Sequence, residues 1–501
     1  MIDSLPSGPV CPAGLFLVYR QAGILGRTGL YTKHLVRGRV VANRVRLTAL
    51  AALAMLNVFA LGAGVAVAAL LPGRLALWQI PRVAAVRVAE PAAVLAPAAS
   101  SGLLPTGHGL TSELAPLIAS RSLGTHVGVV VTDLVSGSVL FSRAAATPAT
   151  PASSAKVATA VAALSVLGPA TRFTTRVVRG PAPGSIVLVG GGDPTLSAGP
   201  VPASDYPRPT DLATLAARTA RSLLAHGQRT VRLAYDVSLF TGPATAPGWT
   251  SGYITTGNVT PITSLEVDQG RLTRSGKPED ADDPGNFRPR SFTPASDPAL
   301  DTDAAPAGAA TVASVRSPYL SAIVGWMLRE SNNVIAENLA RQVALRTGRP
   351  ASFAGAAAAV TATAARLGVG SGIHLVDGSG LSPLDRISPL ALARLVRLAG
   401  DGRQAALRAA VTGMPVAGFS GTLARGQSVF GNFGPAALGT VQAKTGNLTQ
   451  VVSLAGIVSD ASGRLLAFAF MADQLPPGQL THAAGVIDAM ATKLAGCGCR
   501  S

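Results

Sequence analysis

The chain has 501 residues, 48% of them hydrophobic, so it can bury a sizeable core in about two to four domains. Collagen-like and largely disordered chains are therefore excluded. Lys and Arg exceed Asp and Glu by 17, but only 13% of the residues are charged, which argues against a nucleic-acid-binding protein. Three cysteines and six scattered histidines predict neither a disulfide framework nor a metal site, and we expect no cofactor.

The first 90 residues contain ten basic and two acidic residues, and so carry +8 of the net charge. Within them, residues 47–71 form a run of 25 uncharged residues. As a helix this run is about 37 Å long, whereas the hydrocarbon core of a bilayer is about 30 Å thick. Seven basic residues precede the run and three follow it. This asymmetry predicts a cytoplasmic basic segment at 1–46, a transmembrane helix at 47–71 and an exported remainder at the cell membrane.

Two other interpretations of this run are weaker. A cleaved signal peptide usually has a short basic head and an apolar region of about 7–15 residues, and both are longer here. A buried helix of a soluble domain does not explain a long uncharged run behind a basic head. We therefore expect an uncleaved membrane anchor.

After the anchor, the composition predicts a linker and then ordered elements. Residues 72–116 are rich in Ala and Pro without periodicity, which predicts an extended, poorly ordered linker. The β-branched run 127–134 and the run 139–141, joined by a Ser-Gly turn, predict a hairpin. Residues 154–167 contain neither Gly nor Pro and predict a mostly buried helix that begins beside Ser153.

The middle of the chain predicts an inserted α/β unit. It contains strand-like 186–189 and 230–236 on either side of a helix at 211–226. Residues 277–311 are acidic and rich in Pro and Ala, which favours a loop or boundary. The later elements are predicted helices at 318–346, 351–367 and 389–398, strands at 440–445, 451–459 and 464–472, and a last helix at 481–495. Cys497 and Cys499 then fit two thiols in a frayed tail better than a closed loop.

Three short motifs follow one another along this chain. Ser153 and Lys156 are three residues apart, which in most proteins is an ordinary surface pair. Residues 331–333 read Ser-Asn-Asn within a predicted helical segment, where such a triplet is usually a loop or cap, and residues 444–446 read Lys-Thr-Gly on a predicted strand. Their order and contexts match those of penicillin-interacting serine enzymes and favour catalysis.

The residue types suggest how the chemistry works. No motif contains a histidine, so another group must take the proton of a nucleophilic serine hydroxyl. Lys156 is one helical turn from Ser153, but an amine accepts a proton only when it is neutral. We expect burial and the charge of Lys444 to lower the pKa of Lys156, and Ser331 to relay the proton.

These motifs resemble the D-alanyl-D-alanine carboxypeptidase/endopeptidase family of low-molecular-mass penicillin-binding proteins, in the branch with a large insert between the first two motifs. The insert has room here, because 175 positions separate Lys156 from Ser331. The resemblance covers about residues 115–495. Further matches to the family are Gly190–Leu196, Ser238–Pro243 leading to Pro247–Trp249, Asp377–Ser382, Pro415–Gly418 and Gly421–Leu423. We interpret Gly190–Leu196 and Asp377–Ser382 as structural turns in the first place.

The resemblance implies an α/β (α+β) class and a penicillin-binding/β-lactamase-like transpeptidase fold, in which helices flank an antiparallel sheet. Residues 117–170 and 312–495 would form the peptidase domain. Residues 171–311 would form the inserted domain or domains and a loop. The implied substrates are peptidoglycan stem peptides, cut at D-Ala-D-Ala or at cross-links, and the implied inhibitors are β-lactams.

The resemblance also implies catalytic roles. Ser153 would attack the carbonyl of the penultimate D-alanine, and Ser331 would help to pass the proton to the leaving amine. Water would then hydrolyse the acyl-enzyme. β-Lactams would acylate the same serine.

Substrate-binding roles are implied for the remaining motif residues. Asn333 would hydrogen-bond the substrate's peptide, and Lys444 with Thr445 would bind its free carboxylate. The oxyanion would lie against the backbone N–H groups of Ser153 and Asn447. Gly446 would let the substrate backbone lie close to the strand.

Two positions depart from the family pattern. Pro383 follows Ser382 where the family often has Arg, and the next arginine is Arg386. Asn332 replaces a common Asp, which is a lesser change because its neighbours carry the chemistry.

Two other functions are compatible with the fold. A β-lactamase would need an activator of the deacylating water, which the sequence does not identify. A catalytically idle wall-binding or sensor module is disfavoured because the motifs are intact. The sequence does not indicate the oligomeric state.

Overall fold

The structure is a computed structural model that describes residues 102–271, 289–291, 301–302 and 304–499. The expected cytoplasmic segment, transmembrane helix and most of the linker lie outside these ranges. Among the residues that the structure does describe, we find no helix that is both long and apolar enough to cross a membrane.

Helices and strands are distributed over the whole described part of the chain. In the first half they are α1 (Gly107–Ile118), β1 (Val127–Asp133), β2 (Val139–Arg143), α2 (Lys156–Leu167), β3 (Thr174–Arg179), β4 (Ser185–Val189), α3 (Leu212–Ala225), β5 (Arg232–Asp236), α4 (Ser251–Thr255) and β6 (Glu266–Arg271). In the second half they are β7 (Pro289–Ser291), β8 (Asp301–Thr302), β9 (Thr311–Arg316), α5 (Leu320–Arg329), α6 (Asn333–Arg346), α7 (Phe353–Arg366), β10 (Ile373–His374), β11 (Arg386–Ile387), α8 (Pro389–Gly400), α9 (Ala409–Thr412), β12 (Val441–Leu448), β13 (Val451–Ser459), β14 (Leu465–Ala472) and α10 (Leu480–Gly496).

A five-stranded antiparallel sheet, in the order β12-β13-β14-β1-β2, lies between two helical layers. Successive strand residues point to opposite faces, so each strand contributes to both cores. Val129 and Phe470 pack with α1 and α10, whereas Val130 and Ala469 pack with α2 and α5–α8. The expected antiparallel sheet flanked by helices is confirmed.

The expected extended linker is wrong at its C-terminal end. Residues 107–118 form α1, whose N-cap Thr106 accepts a hydrogen bond from the backbone N–H of Gly109 at 3.0 Å. Leu110, Leu114 and Ile118 lie four residues apart and are buried on one face of this helix. Two glycines and Pro116 mask the helical pattern in the sequence, because these residues are poor helix formers.

The C-terminal tail is not frayed as expected. Cys497 is buried, and the carbonyl of Cys499 accepts a 2.8 Å hydrogen bond from the backbone N–H of Thr106. The Cα atoms of the two cysteines are 5.0 Å apart, within the range that a disulfide spans. The tail therefore packs against the start of α1.

The inserted region contains its own mixed sheet, in the order β8-β5-β4-β3-β9. β4 and β5 pair in parallel, and α3 packs against the sheet through Leu215 and Leu223. Two expectations need correction here. The segment 277–311 contains the short strands β7 and β8, and β9 continues the inserted sheet to Arg316, beyond the expected boundary at 311. Short strands in a polar segment show no apolar period in the sequence.

Candidate active site

Ser153 and Lys156 lie where a one-turn 3-10 helix, Ala152–Ala155, runs into α2. The preceding residue, Ala152, has a φ of 48°, in the left-handed region that a non-glycine residue rarely adopts. This sharp turn leaves Ser153 partly exposed, while Lys156 is fully buried. The Nζ of Lys156 lies 2.8 Å from the Oγ of Ser153. The spacing of the first motif therefore yields a direct amine–hydroxyl contact.

The Lys156 amine also has two acceptors from distant parts of the chain. It donates to Oδ1 of Asn333 at 2.6 Å and to the carbonyl oxygen of Ser379 at 2.7 Å. Burial lowers the pKa of Lys156 from 10.5 to about 7, although the charges of Asp377, Glu337 and Asp385 raise it. A large fraction of this amine is therefore neutral at neutral pH and able to accept a proton.

Ser331 and Lys444 form a second contact. Ser331 lies in the turn between α5 and α6 with a φ of 54°, and its Oγ accepts a 2.9 Å hydrogen bond from Nζ of Lys444. The same amine donates to the carbonyl oxygen of Thr445 at 2.7 Å. The second and third motifs therefore meet at the buried amine of Lys444 on the central sheet.

The two buried lysines repel each other. Burial, followed by the charge of Lys156, lowers the pKa of Lys444 well below its ordinary value. For Lys156 burial is the leading cause, and the nearby charges that act on its pKa are carboxylates. Repulsion between the two amines disfavours charging both at once. The surroundings of the two lysines differ in that carboxylates raise the pKa of Lys156, whereas no carboxylate is among the groups that shift the pKa of Lys444.

Asn333, the first residue of α6, connects the nucleophile to the inserted region. Its Oδ1 accepts from Lys156, and its Nδ2 donates to the carbonyl oxygen of Asn258 at 2.8 Å. The neighbouring Asn332 caps α6, accepting from the N–H of Ile335 at 2.9 Å. Asn332 thus caps the helix that carries Asn333.

Gly446 brings β12 against the turn that contains the nucleophile. A Cβ added there would lie 2.6 Å from the carbonyl oxygen of Pro151 and 2.9 Å from the backbone nitrogen of Ser154. The glycine therefore allows β12 to approach the protein's own turn, a contact that the sequence did not predict. Asn447, the next residue, is exposed.

The outer edge of β12 is covered along only part of its length. The backbone N–H groups of Ala417 and Ala443 bond to the carbonyl oxygens of Val441 and Pro415, so residues 415–417 cover the start of the strand. β12 is the edge strand of the sheet, and its second half contains Lys444, Thr445, Gly446 and Asn447.

Sequence reasoning missed three contributors to the site. Ser379 supplies a backbone carbonyl to Lys156, and such a contribution leaves no residue-type signal. Glu337 accepts the backbone N–H groups of Gly378 and Ser379. It lies four residues after Asn333, so helical spacing is a signal that was present. The hydroxyl of Thr422 lies 2.8 Å from the hydroxyl of Thr445. Thr422 belongs to the matching segment Gly421–Leu423, but nothing in the sequence pairs it with Thr445.

In the parts of the chain that are described, no group of three or more His, Cys, Asp or Glu residues is arranged to bind a metal ion.

Comparison with known proteins places this geometry in context. The family model described as "D-Ala-D-Ala carboxypeptidase 3 (S13) family" matches residues 110–292 and 296–494. Carboxypeptidase DacB of Mycolicibacterium smegmatis is 37% identical over 450 residues, covering 87% of this chain and 94% of the relative. A carboxypeptidase of Mycobacterium tuberculosis is 38% identical over 417 residues, covering 80% of this chain and 87% of the relative.

The fold resembles that of a solved structure. Penicillin binding protein 4 (dacB) of Haemophilus influenzae superposes with a TM-score of 0.58 at 20% identity, covering 78% of this chain and 100% of that chain. The described chain therefore has the fold that its motifs indicated.

Proposed function

The chain belongs to the D-Ala-D-Ala carboxypeptidase 3 (S13) family and is a serine D-Ala-D-Ala carboxypeptidase, and from this premise we propose how its site works. Ser153 is the nucleophile that attacks the carbonyl of the penultimate D-alanine of a peptidoglycan stem peptide. Neutral Lys156 takes the hydroxyl proton. The observation that carries this assignment is the 2.8 Å contact between the Lys156 amine, with its pKa of about 7, and the Ser153 hydroxyl.

Collapse of the tetrahedral intermediate requires that the leaving amine receive a proton. The Ser331 hydroxyl is bonded to Lys444 and lies at the second motif, beside Asn333, which contacts Lys156. We assign Ser331 to the transfer of the proton to the departing D-alanine. Water then attacks the acyl-enzyme and frees Ser153.

The open half of β12 suits the substrate backbone. An extended peptide can pair with an unpaired strand edge, and this half of the strand lies beside the nucleophile's turn. The N–H groups of Ser153 and Asn447 are the proposed oxyanion donors. Asn333 would exchange part of its contact with Lys156 or Asn258 for a bond to the substrate's peptide.

Lys444 and Thr445 are the proposed ligands of the substrate's terminal carboxylate. A carboxylate favours the charged form of a nearby amine, so its arrival raises the pKa of Lys444 and is coupled to proton uptake. A cross-link ending in a D-centre also presents a carboxylate next to the bond to be cut, and the same lysine would then support endopeptidase activity. β-Lactams carry a comparable carboxylate and would acylate Ser153.

The sequence supports a location outside the cytoplasm. We propose that residues 47–71 anchor the protein in the cell membrane and that the enzyme faces the cell wall. The protein should remain with membranes after a high-salt wash, because an apolar span is insensitive to screening. Deleting residues 1–73 should release it, whereas a mature N-terminus beyond Leu71 would indicate signal cleavage.

The assay that tests the function is release of D-alanine. The purified protein should free D-alanine from a stem pentapeptide ending in D-Ala-D-Ala, and penicillin should stop the release. Rapid turnover of penicillin without release of D-alanine would favour a β-lactamase. Absence of both activities would favour a module without catalysis.

A further inference from the structure

A backbone carbonyl, rather than a side chain, supplies one of the two acceptors that bind the catalytic amine beside Ser153. Lys156 donates to the carbonyl oxygen of Ser379 at 2.7 Å. The loop turns sharply here, because Gly380 has a φ of 78° and a Cβ there would lie 1.8 Å from the carbonyl oxygen of Ala152. The position of the Ser379 carbonyl therefore depends on how the loop itself is fixed.

Glu337 of α6 binds this loop from below. Its Oε1 accepts from the backbone N–H of Ser379 at 2.8 Å and from that of Gly378 at 3.0 Å, and its Oε2 accepts from Gly378 at 3.0 Å. Thr159 of α2 donates to the carbonyl oxygen of Gly378 at 2.6 Å. Residues of α2 and α6, the two helices that carry active-site residues, thus both form hydrogen bonds with the peptide group between Gly378 and Ser379.

One face of α6 connects the active site to the hydrogen bonds between Glu337 and the loop, which we call the brace. Asn333, Glu337 and Arg341 follow one another at intervals of four residues, which places them on one side of a helix. Asn333 contacts Lys156 directly, and Arg341 forms an ion pair with Glu337 at 3.7 Å. The Glu337 carboxylate has no exposed surface. A buried carboxylate with backbone donors and an arginine fixes geometry more firmly than an exposed one.

We propose that Glu337 is a positioning residue for the reaction: it orders the loop so that the Ser379 carbonyl aligns the Lys156 amine with Ser153, and it supplies a counter-charge to that amine. The inference rests on the proposed role of Lys156 as base. Glu337 itself is not expected to touch substrate.

The charged groups around Lys156 agree with this role. The charged groups that act on Lys156 are Asp377 and Asp385 of the loop and Glu337 of α6, and Lys444 of β12 interacts with it as a second amine. Arg341 of α6 pairs with Glu337. Burial and the charge of Asp377 raise the pKa of Glu337 to about 7 and that of Asp385 to about 10. Near neutral pH Glu337 therefore carries part of a negative charge, and this charge raises the pKa of Lys156.

The variant Glu337→Gln separates this role from simple stability. Its amide oxygen can still accept the two backbone N–H groups, but the charge is lost. Without the counter-charge the pKa of Lys156 falls. The acid limb of acylation, meaning the pH range in which the acylation rate falls as the pH is lowered, should therefore move to lower pH by about half a unit to one unit. Glu337→Ala also loses the brace, and its acylation rate at high pH should fall about tenfold or more.

Asp488 provides the matched control. This buried carboxyl accepts the backbone N–H groups of two successive residues, Gly431 and Asn432, at 2.9 Å, and burial raises its pKa to about 7. It lies on α10, on the other side of the sheet from α6. Asp488→Asn should lower the thermal stability of the protein without moving the acid limb of acylation.

The measurement is the rate of acylation of the full-length protein by a fluorescent penicillin between pH 5 and 9, with a melting curve for each variant. We expect the acid limb to move to lower pH for both Glu337 variants, because both lose the charge, and to stay at the wild-type pH for Asp488→Asn. A Glu337→Gln profile that coincides with wild type, or an equal shift in Asp488→Asn, would overturn the inference. Labelling of wild type that persists in Ser153→Ala would instead contradict the proposed function, whatever Glu337 does.

Discussion

The active site contains two equally buried lysines in different surroundings. Lys156 lies beside α6 and the loop at 376–385, where three carboxyl groups raise its pKa against burial. Lys444 lies on β12, where burial and the charge of Lys156 both lower its pKa. The comparison shows that burial alone does not assign a role. A lysine tuned to about 7 by opposing effects suits proton transfer, whereas one without a counter-ion is suited to receive an anionic ligand.

The largest effect is expected at the nucleophile, Ser153, whose hydroxyl contacts Lys156. Ser153→Ala should abolish covalent labelling by fluorescent penicillin, because a methyl group cannot be acylated. Ser154→Ala is the control, since the Ser154 hydroxyl is buried and donates to the carbonyl oxygen of Pro151 at 2.7 Å. Gel fluorography should show labelling in Ser154→Ala only; the reverse pattern would place the nucleophile at Ser154.

Replacing Lys156, the proposed base, tests the first of the two lysines. Lys156→Arg should slow acylation by about a hundredfold or more, nearly as much as Lys156→Ala, because a guanidinium keeps its proton at any working pH. Lys493→Arg is the control, since Lys493 forms an exposed ion pair with Glu113 at 2.8 Å. An acylation rate for Lys156→Arg within about tenfold of wild type would mean that the lysine only positions Ser153.

The second lysine, Lys444, is tested by combining a substitution in the enzyme with a change in the substrate. Lys444→Ala should slow cleavage of a stem peptide about ten- to a hundredfold, as expected for the loss of a charge-assisted hydrogen bond of ~1.5–3 kcal/mol. Amidation of the terminal carboxylate should have a similar effect on wild type. The two changes should combine far less than additively. Full additivity of the measured kcat/KM losses would mean that Lys444 acts elsewhere, most simply on Lys156.

The smallest effect is expected at Thr422, whose hydroxyl contacts that of Thr445. Thr422→Val conserves shape but removes this hydrogen bond, and we expect a loss of about three- to tenfold in kcat/KM. Thr440→Val is the control, because the exposed Thr440 hydroxyl bonds only its local backbone, the carbonyl oxygen of Ala436. A loss at Thr422 no greater than that at Thr440 would remove Thr422 from the site.

The sequence predicted the parts of the site that depend on residue type and short spacing. Ser153 and Lys156 are one turn apart, so their contact follows from the helix alone. The Ser379 carbonyl was not predictable, because every residue has one. The pairing of Thr422 with Thr445 depends on how loops pack, which no local pattern encodes.

The same distinction applies to the fold. The hairpin, α2 and the last three strands were predicted because their apolar runs are strong. α1 was missed because Gly107, Gly109 and Pro116 interrupt the helical pattern. In the structure, packing of Leu110 and Leu114 into the core on one face of the sheet outweighs the low helix propensity of the glycines and the proline. β9 was missed because it adds to a strand more than a hundred residues earlier in the chain.

The central claim is that Lys156 acts as a neutral base, and the pH dependence of Ser153 acylation tests it most directly. Below its pKa the amine carries a proton and cannot accept another. The wild-type rate with fluorescent penicillin should therefore fall about tenfold per pH unit well below pH ~7 and level off above it. A rate that is independent of pH between about 5 and 8, or that keeps rising toward the ordinary pKa of lysine near 10.5, would contradict the assignment.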